Sequence, residues 1–354
     1  MNNRTNGLIA AVPLAVALIT GATTTDSIPS PVAPTAIVDQ GVRQLPASMG
    51  QFAGDDRHLS ICSFNIQFLG SFKARDNAAL VSILQDFDVI VIQELVAPPY
   101  PGTFPDGTPY KPQPRSQEFF DLMQSVGFEF VLSEEDTGKS TKNHNNGAAT
   151  EWWVAFYDPD RVQPDEDIPH GFLADDRTKH PNFDRVPYAF GFETTDGLLD
   201  FVLVSVHLRP GTGPANRARR QEELATVATW IDQNDDAEKD FIILGDMNIY
   251  TASELAAATP DGFESLNDSV VETNTNVRNG LPYDHVMIDP IFSTEVDGAF
   301  DFKVVNLREQ MQPFWDSSNG AYPGSPYHHD KFRVRYSDHH PVVFRMTIPD
   351  ADDD

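Results

Sequence analysis

The amino-acid sequence predicts an α/β sandwich, in which mixed β-sheets pack together and are covered by helices. Three observations lead there. Short apolar runs recur along the chain and break off at polar residues. Segments of helical period lie between some of them. The 354 residues are 40% hydrophobic, as expected of a chain that buries a core.

The runs come first. Leu59–Phe64 ends at Asn65, and Val89–Ile92 ends at Gln93 and Glu94. Phe201–Val206 ends at His207, and Phe241–Leu244 ends at Gly245 and Asp246. Val286–Ile288 follows Asp284 and His285, and Val342–Phe344 follows Asp338, His339 and His340. Continuous apolar runs of this length are buried strands. Helices are expected over Asn77–Gln85, Ser116–Val126 and Pro214–Ile231, from apolar residues such as Leu80, Phe119 and Leu224 at helical spacing. Trp152–Tyr157 and Val186–Glu193 read as a hairpin-like pair, with at most one of Trp152 and Trp153 facing the core. Ala97–Arg115 and Gln312–Lys331 read as long surface loops carrying aromatic residues, able to meet a base or a lipid or to pack onto the domain.

The ends differ in composition. Residues 1–22 read as a signal peptide: Arg4, an apolar stretch from Leu8 to Ile19, then the small residues Gly21 and Ala22. The expectation is a secreted, extracellular or periplasmic protein, with an uncleaved N-terminal anchor as the alternative. Residues 23–56, rich in Thr, Pro, Ala and Ser, read as a flexible leader. Residues 57–349 form the predicted domain, and 350–354 an acidic tail. The formal net charge of −28 opposes long-range attraction to nucleic acid or anionic lipid. A polyanionic substrate would therefore rely on local cations. Acidic composition with few lysines is also that of halophilic proteins. A single cysteine, Cys62, excludes an internal disulfide and reads as a small buried hydrophobe. Of the basic residues, Arg217, Arg219 and Arg220 read as a solvated helix face.

Polar residues at strand ends are how an α/β scaffold assembles a site. The set here is Asn65, Glu94, Glu151, His207, Asp246, Asn248, Asp284, Asp338 and His339. So many carboxylates gathered together require a cation. Oxygen donors suit Mg²⁺, Mn²⁺ or Ca²⁺, whereas a zinc site would show HExxH or a cysteine cluster.

The segments SFNIQFLG, VIVIQEL, TEWWVAFYDPDRV, LVSVHLRPG, ILGDMNIY, YDHVMI and YSDHHPV carry a resemblance. In this order they resemble the endonuclease/exonuclease/phosphatase superfamily, most nearly its secreted deoxyribonuclease I-like branch. The resemblance implies a four-layered α/β sandwich, two packed mixed sheets flanked by helices, and hydrolysis of phosphodiesters. It implies that Glu94 binds Mg²⁺ or Mn²⁺ with Asn65 beside it, and that Asp338 completes a metal or histidine shell. Glu151 would orient His207, and Asp284 would orient His339. Asp246 and Asn248 would hold the metal-bound phosphate and the attacking water, with Arg185 as a further phosphate contact. The implied substrate is nucleic acid, DNA before RNA, cut by a monomer without a stable protein partner; structural Ca²⁺ is allowed. Which histidine is base and which is acid stays open.

Two departures from that branch concern substrate rather than chemistry. Val96 stands where an arginine commonly enters the minor groove, and Gln67 where another arginine follows the FNI motif. The branch's paired cysteines are absent as well. A sphingomyelinase-like lipid phosphodiesterase and an inositol-phosphate phosphatase are the alternatives, and a non-catalytic binding protein on the same scaffold is a third. GDMNIY lacks the basic residue that the phosphatases carry.

Overall fold

Side chains alternate between the two faces of a pleated strand, and in this molecule both faces of each main strand are covered. The computed structural model describes residues 52–138, 150–175, 180–300, 302–322 and 328–351, all within one compact unit. Strands β1 (His58–Leu69), β2 (Val89–Leu95), β5 (Glu129–Leu132), β6 (Trp152–Tyr157), β14 (Lys303–Val304) and β15 (Val342–Thr347) form one sheet, in the order β14-β15-β1-β2-β6-β5. A second sheet contains β7 (Val162–Pro164), β9 (Tyr188–Thr194), β10 (Asp200–His207), β11 (Phe241–Asp246), β12 (Glu264–Ser265) and β13 (Asp284–Ile288). Its order is β12-β13-β11-β10-β9-β7, with β8 (Gly171–Phe172) paired to β9. The pairs β1–β2 and β10–β11 are parallel, and their neighbours are antiparallel, so both sheets are mixed.

Between the sheets lie Leu59, Ile61, Val89, Val91, Trp153, Phe201, Leu203, Ile242, Leu244 and Val286, all buried. The outer face of the first sheet, with Phe64, Ile90 and Phe156, packs under helices α1 (Asn77–Leu84) and α2 (Pro114–Ser125) through Leu80, Phe119 and Phe120. The short helices α5 (Leu307–Gln310) and α6 (His329–Arg333) add Leu307 and Phe332 to the same cluster. The outer face of the second sheet, with Val202, Val204 and Ile243, packs under α3 (Pro214–Ile231) and α4 (Ala252–Ala258) through Leu224, Val227 and Leu255. Helices, sheet, sheet, helices make the four-layered sandwich expected from the sequence. Among the described residues, no helix is long and apolar enough to cross a membrane.

Four local expectations need correction. Trp152–Tyr157 and the strand ending at Thr194 are not a hairpin: β6 pairs with β2 and β5, whereas β9 lies in the other sheet. Trp152 and Trp153 are both fully buried, because the sheet has a core on each side; Trp152 faces the helices and Trp153 the second sheet. Arg220 is not on a solvated face: it is fully buried against Glu254. The stretch after Ala97 is no bare loop, since β3 (Gly102–Thr103) and β4 (Pro109–Tyr110) pair within it. Its aromatics turn inward: the rings of Phe104 and Tyr110 lie 5.7 and 5.0 Å from Trp152, and Tyr100 rests 6.2 Å from Phe120. Trp315 likewise packs on Tyr322 and Tyr336; Tyr327 lies outside the described residues, as do the signal and all but residues 52–56 of the leader.

Candidate active site

Parity places the site. On β1 the residues facing the other sheet are Leu59 and Ile61, and two steps further along that face come Ser63 and Asn65. On β10 the same face runs Phe201, Leu203, Ser205, His207, and on β11 it runs Ile242, Leu244, Asp246. On β13 it runs from Ile288 and Val286 back to Asp284, and on β6 from Ala155 and Trp153 back to Glu151. Each inner-face ladder is apolar within the sandwich and polar at one end, and the polar ends coincide. The register confirms this for the second sheet, where His207, Asp246 and Asp284 are direct neighbours across three strands.

Glu94 breaks parity. Gln93, one residue earlier, already occupies the inner face, where its amide donates to Ser205 Oγ of the other sheet (3.2 Å). A bulge between Ile92 and Leu95, with Glu94 at φ +65°, turns the next side chain back toward the site. Five non-glycine residues among those described have positive φ, and four of them, Gln67, Phe68, Glu94 and Asn248, belong to this end of the sandwich. Such conformations cost about 1–3 kcal/mol each and persist where surrounding contacts over-determine them. Gly245, at φ +140°, has no room for a side chain: a Cβ there would lie 2.0 Å from the carbonyl oxygen of Val206. That close approach lets β11 deliver Asp246 beside His207.

The contacts are dense. The Asn65 amide donates to Glu94 Oε1 (3.1 Å) and to Asp246 Oδ2 (3.0 Å). Glu94 Oε2 accepts from the Phe68 N–H at 3.0 Å. Glu151 Oε1 lies 3.0 Å from His207 Nδ1 and 3.0 Å from Arg185 Nε, and its other oxygen accepts from the Glu94 N–H. Asp284 Oδ2 lies 2.9 Å from His339 Nδ1 and accepts from the Thr273 hydroxyl at 2.6 Å. The far nitrogens of both imidazoles face one oxygen, Asp246 Oδ2, at 3.5 Å from His207 and 3.6 Å from His339. The Asn248 N–H donates to Asp246 Oδ1, and its amide to the Leu208 carbonyl. Gln67 Nε2 donates to Asp338 Oδ2 at 2.6 Å. All ten residues singled out from the sequence thus lie in one linked cluster. His340, left out of that set, points away: its Nδ1 accepts from the Leu307 N–H, and burial holds the imidazole down at about 3. Cys62 is fully buried, and burial pushes its thiol well up, away from a reactive thiolate.

Charge is strained as well. Burial raises the Glu94 carboxyl, and the nearby His207 imidazole and Asn65 amide only partly offset it. Burial acts likewise on Glu151, but His207, Arg185 and the Glu94 N–H outweigh it and hold that carboxyl low. Burial and Arg185 depress His207, while Glu151 and Asp246 more than restore it. For His339 burial is overcome by Asp284, Asp246 and Asp338, and its imidazole is held well above the ordinary value.

The donor set fits a divalent cation. Glu94, His207 and Asp246 offer ligand atoms within 4.8 Å of one another, and so do Asp246, Asp284 and His339. Asp338 Oδ1 is a buried oxygen that accepts no hydrogen bond. The carboxylate oxygens of this set are donors of the kind that hard divalent cations take. Residues missed in the sequence complete the surroundings: Gln67 on Asp338, Thr273 on Asp284, and Ser337, whose hydroxyl donates to the Asn65 carbonyl and accepts from the His339 N–H. Ser337 lies in a motif already singled out. Thr273 carries no sequence signal, because its contact spans a turn with no period.

Comparison with known proteins agrees with this geometry. The profile of the Endonuclease/Exonuclease/phosphatase family matches residues 62–339. No curated protein matches the sequence. Similar solved structures include an endonuclease/exonuclease/phosphatase family protein from Bacteroides thetaiotaomicron, with 14% identity, 82% of this chain and 95% of that one covered, and a TM-score of 0.51. The human Nocturnin catalytic domain with bound sulfate has 15% identity, coverage of 82% and 94%, and a TM-score of 0.51. D. rerio TDP2 complexed with a single-strand DNA product has 14% identity, coverage of 82% and 99%, and a TM-score of 0.50. At such identities the likeness concerns the fold. The profile match covers most of the chain, and the protein belongs to the endonuclease/exonuclease/phosphatase family.

Proposed function

We propose that the protein is an exported, divalent-metal-dependent phosphodiesterase that hydrolyses nucleic acid, as an endonuclease on DNA and as a monomer. One observation carries the reading: two imidazole–carboxylate pairs, Glu151–His207 and Asp284–His339, converge on a single oxygen of Asp246. In-line hydrolysis of a phosphodiester needs a base for the attacking water on one side and an acid for the leaving oxygen on the other. His207 and Asp284 flank Asp246 on neighbouring strands, so the two imidazoles approach from different sides. Asp284 hydrogen-bonds the Nδ1 side of His339 and Glu151 stands 3.0 Å from Nδ1 of His207 as an ion-pair partner, which leaves Nε2 of each ring for proton transfer. Asn248 and Arg185 would contact phosphate oxygens. Glu94, Asp246 and Asp338 would hold Mg²⁺ or Mn²⁺, with Asn65 steadying the first two. A bound divalent ion would supply Lewis-acid polarisation of the phosphoryl oxygen and charge neutralisation at the leaving oxygen. With a net charge of −28, approach of a polyanion depends on that ion and on screening salt.

Nucleic acid is favoured over lipid by the aromatic side chains of Ala97–Arg115, which are used inside the domain and so offer little to a bilayer. A structural neighbour, D. rerio TDP2, was solved with a single-strand DNA product. The test is a side-by-side assay of EDTA-treated protein on plasmid DNA, RNA, sphingomyelin vesicles and inositol phosphates, at several salt concentrations. Plasmid cleavage should return with Mg²⁺ or Mn²⁺. Faster turnover of sphingomyelin than of DNA would overturn the substrate assignment.

A further inference from the structure

We infer that Arg75, which no site motif contains, is a positioning residue for the reaction: its guanidinium staples the end of β1 to the segment that carries Asp338 and His339. This rests on the metal-dependent phosphodiesterase reading above. Arg75 lies in the loop before α1 and is 5% exposed. Its Nη1 donates to the carbonyl of Ile66 at 2.6 Å and to that of Tyr336, and its Nη2 donates to the carbonyl of Gln67. Ile66 and Gln67 adjoin Asn65, while Tyr336 stands two residues before Asp338. One planar group therefore joins two segments 261 positions from Arg75 in one direction and only eight or nine in the other.

A buried arginine ordinarily takes a carboxylate partner. Arg75 has none at ion-pair distance among the described residues; burial pulls its guanidinium down to about 9, and nearby Asp338 and Glu94 only partly offset this. It makes only carbonyl contacts and rests against the Phe72 ring. Its charge thus offsets the acidic cluster without occupying carboxylate oxygens, which stay available as ligands.

The turn it holds is the strained one. Gln67 and Phe68 both have positive φ, and they present the amide on Asp338 and the N–H on Glu94. The Arg75 guanidinium fixes the Gln67 carbonyl from below, and with it the turn. A fork of donors is needed for this, since a lysine ammonium keeps the charge but cannot span three carbonyls in one plane.

The experiment compares wild type, Arg75→Lys and Ser337→Ala, the last a milder cut in the same junction. Calorimetric titration of Mn²⁺ into EDTA-treated protein is paired with turnover of plasmid DNA and a melting curve. Arg75→Lys should bind Mn²⁺ about tenfold more weakly and lose about 100-fold in kcat, with KM little changed and the protein still folded at the assay temperature. Ser337→Ala should move both readouts in the same direction by a smaller factor. Arg75→Lys with wild-type Mn²⁺ affinity and kcat would overturn the inference. So would a lowered melting temperature with unaltered kcat per folded molecule. If Arg75→Lys does not fold, an unchanged Mn²⁺ affinity and kcat in Ser337→Ala overturn it instead. Wild-type protein that neither binds Mn²⁺ nor cleaves DNA would count against the proposed function, a result separable from any effect of these variants.

Discussion

The two imidazole–carboxylate pairs stand at nearly equal distance from Asp246 and differ in what lies behind them. Glu151 is shared, with the Arg185 guanidinium 3.0 Å from the same oxygen that faces His207. Asp284 is steadied by the neutral Thr273 hydroxyl and has no arginine or lysine at ion-pair distance among the described residues. One pair is thus the middle of a chain of alternating charge, and the other is a simple dyad. Removing the carboxylate has different consequences in each: without Glu151 a partly buried cation is left facing His207, while without Asp284 only a hydroxyl is left.

This asymmetry between the two pairs sets graded losses on substitution. Replacing either imidazole, by His207→Ala or His339→Ala, should lower kcat on plasmid DNA about 10³-fold, with circular dichroism and melting unchanged. Turnover within tenfold of wild type in either variant would remove that histidine from the chemistry. Glu151→Gln should then lose about 10²-fold or more, and Asp284→Asn about tenfold. Equal losses would mean that Arg185 does not distinguish the two halves. Arg185→Met should lower kcat/KM by about tenfold, as expected for loss of one charge-assisted contact. Combined with Glu151→Gln it should cost less than the sum of the single changes, because the variants share an interaction. Strict additivity would show that the two side chains act independently.

The smallest effect concerns stability. Burial holds the His285 imidazole down at about 4, between the Pro282 carbonyl and the Ser265 hydroxyl. An unfolded histidine titrates near 6.5, so between these values the unfolded chain binds a proton that the folded chain excludes. The contribution is complete above about pH 6.5 and is lost as pH falls toward 4, by up to about 3 kcal/mol. Urea unfolding at pH 7.5 and pH 5 should show the loss, and His285→Asn should flatten that slope. An unchanged slope in the variant would assign acid sensitivity elsewhere.

Much of this was legible in the sequence for one physical reason. Strand parity carries straight from an apolar run into its polar end, so Leu203 and Leu244 announce where His207 and Asp246 will face. His339 and His340 show the rule's reach: adjacent residues, one among carboxylates and the other buried against the Leu307 N–H. Parity fails where the backbone leaves the pleat. Glu94 would face the helices but for its bulge, and only the family resemblance points to it as a metal ligand. Arg75 and Thr273 could not be found this way, because their partners are carbonyls and side chains brought near by tertiary packing. Arg220 was misplaced for the same reason, since helical spacing does not reveal that Glu254 of α4 lies against it. The pairing of β6 failed because sequence neighbours are expected to pair, whereas here the chain crosses between sheets.

In the proposed reaction these strand ends converge on a divalent ion at which a phosphodiester is cleaved. Its most direct test is calorimetric titration of Mn²⁺ into EDTA-treated wild-type protein and Asp246→Asn, with plasmid cleavage followed in the same samples. Saturable binding and cleavage are expected in the wild type, and loss of both in the variant. Full cleavage in chelator, or an Asp246→Asn protein that binds and cleaves like wild type, would contradict it.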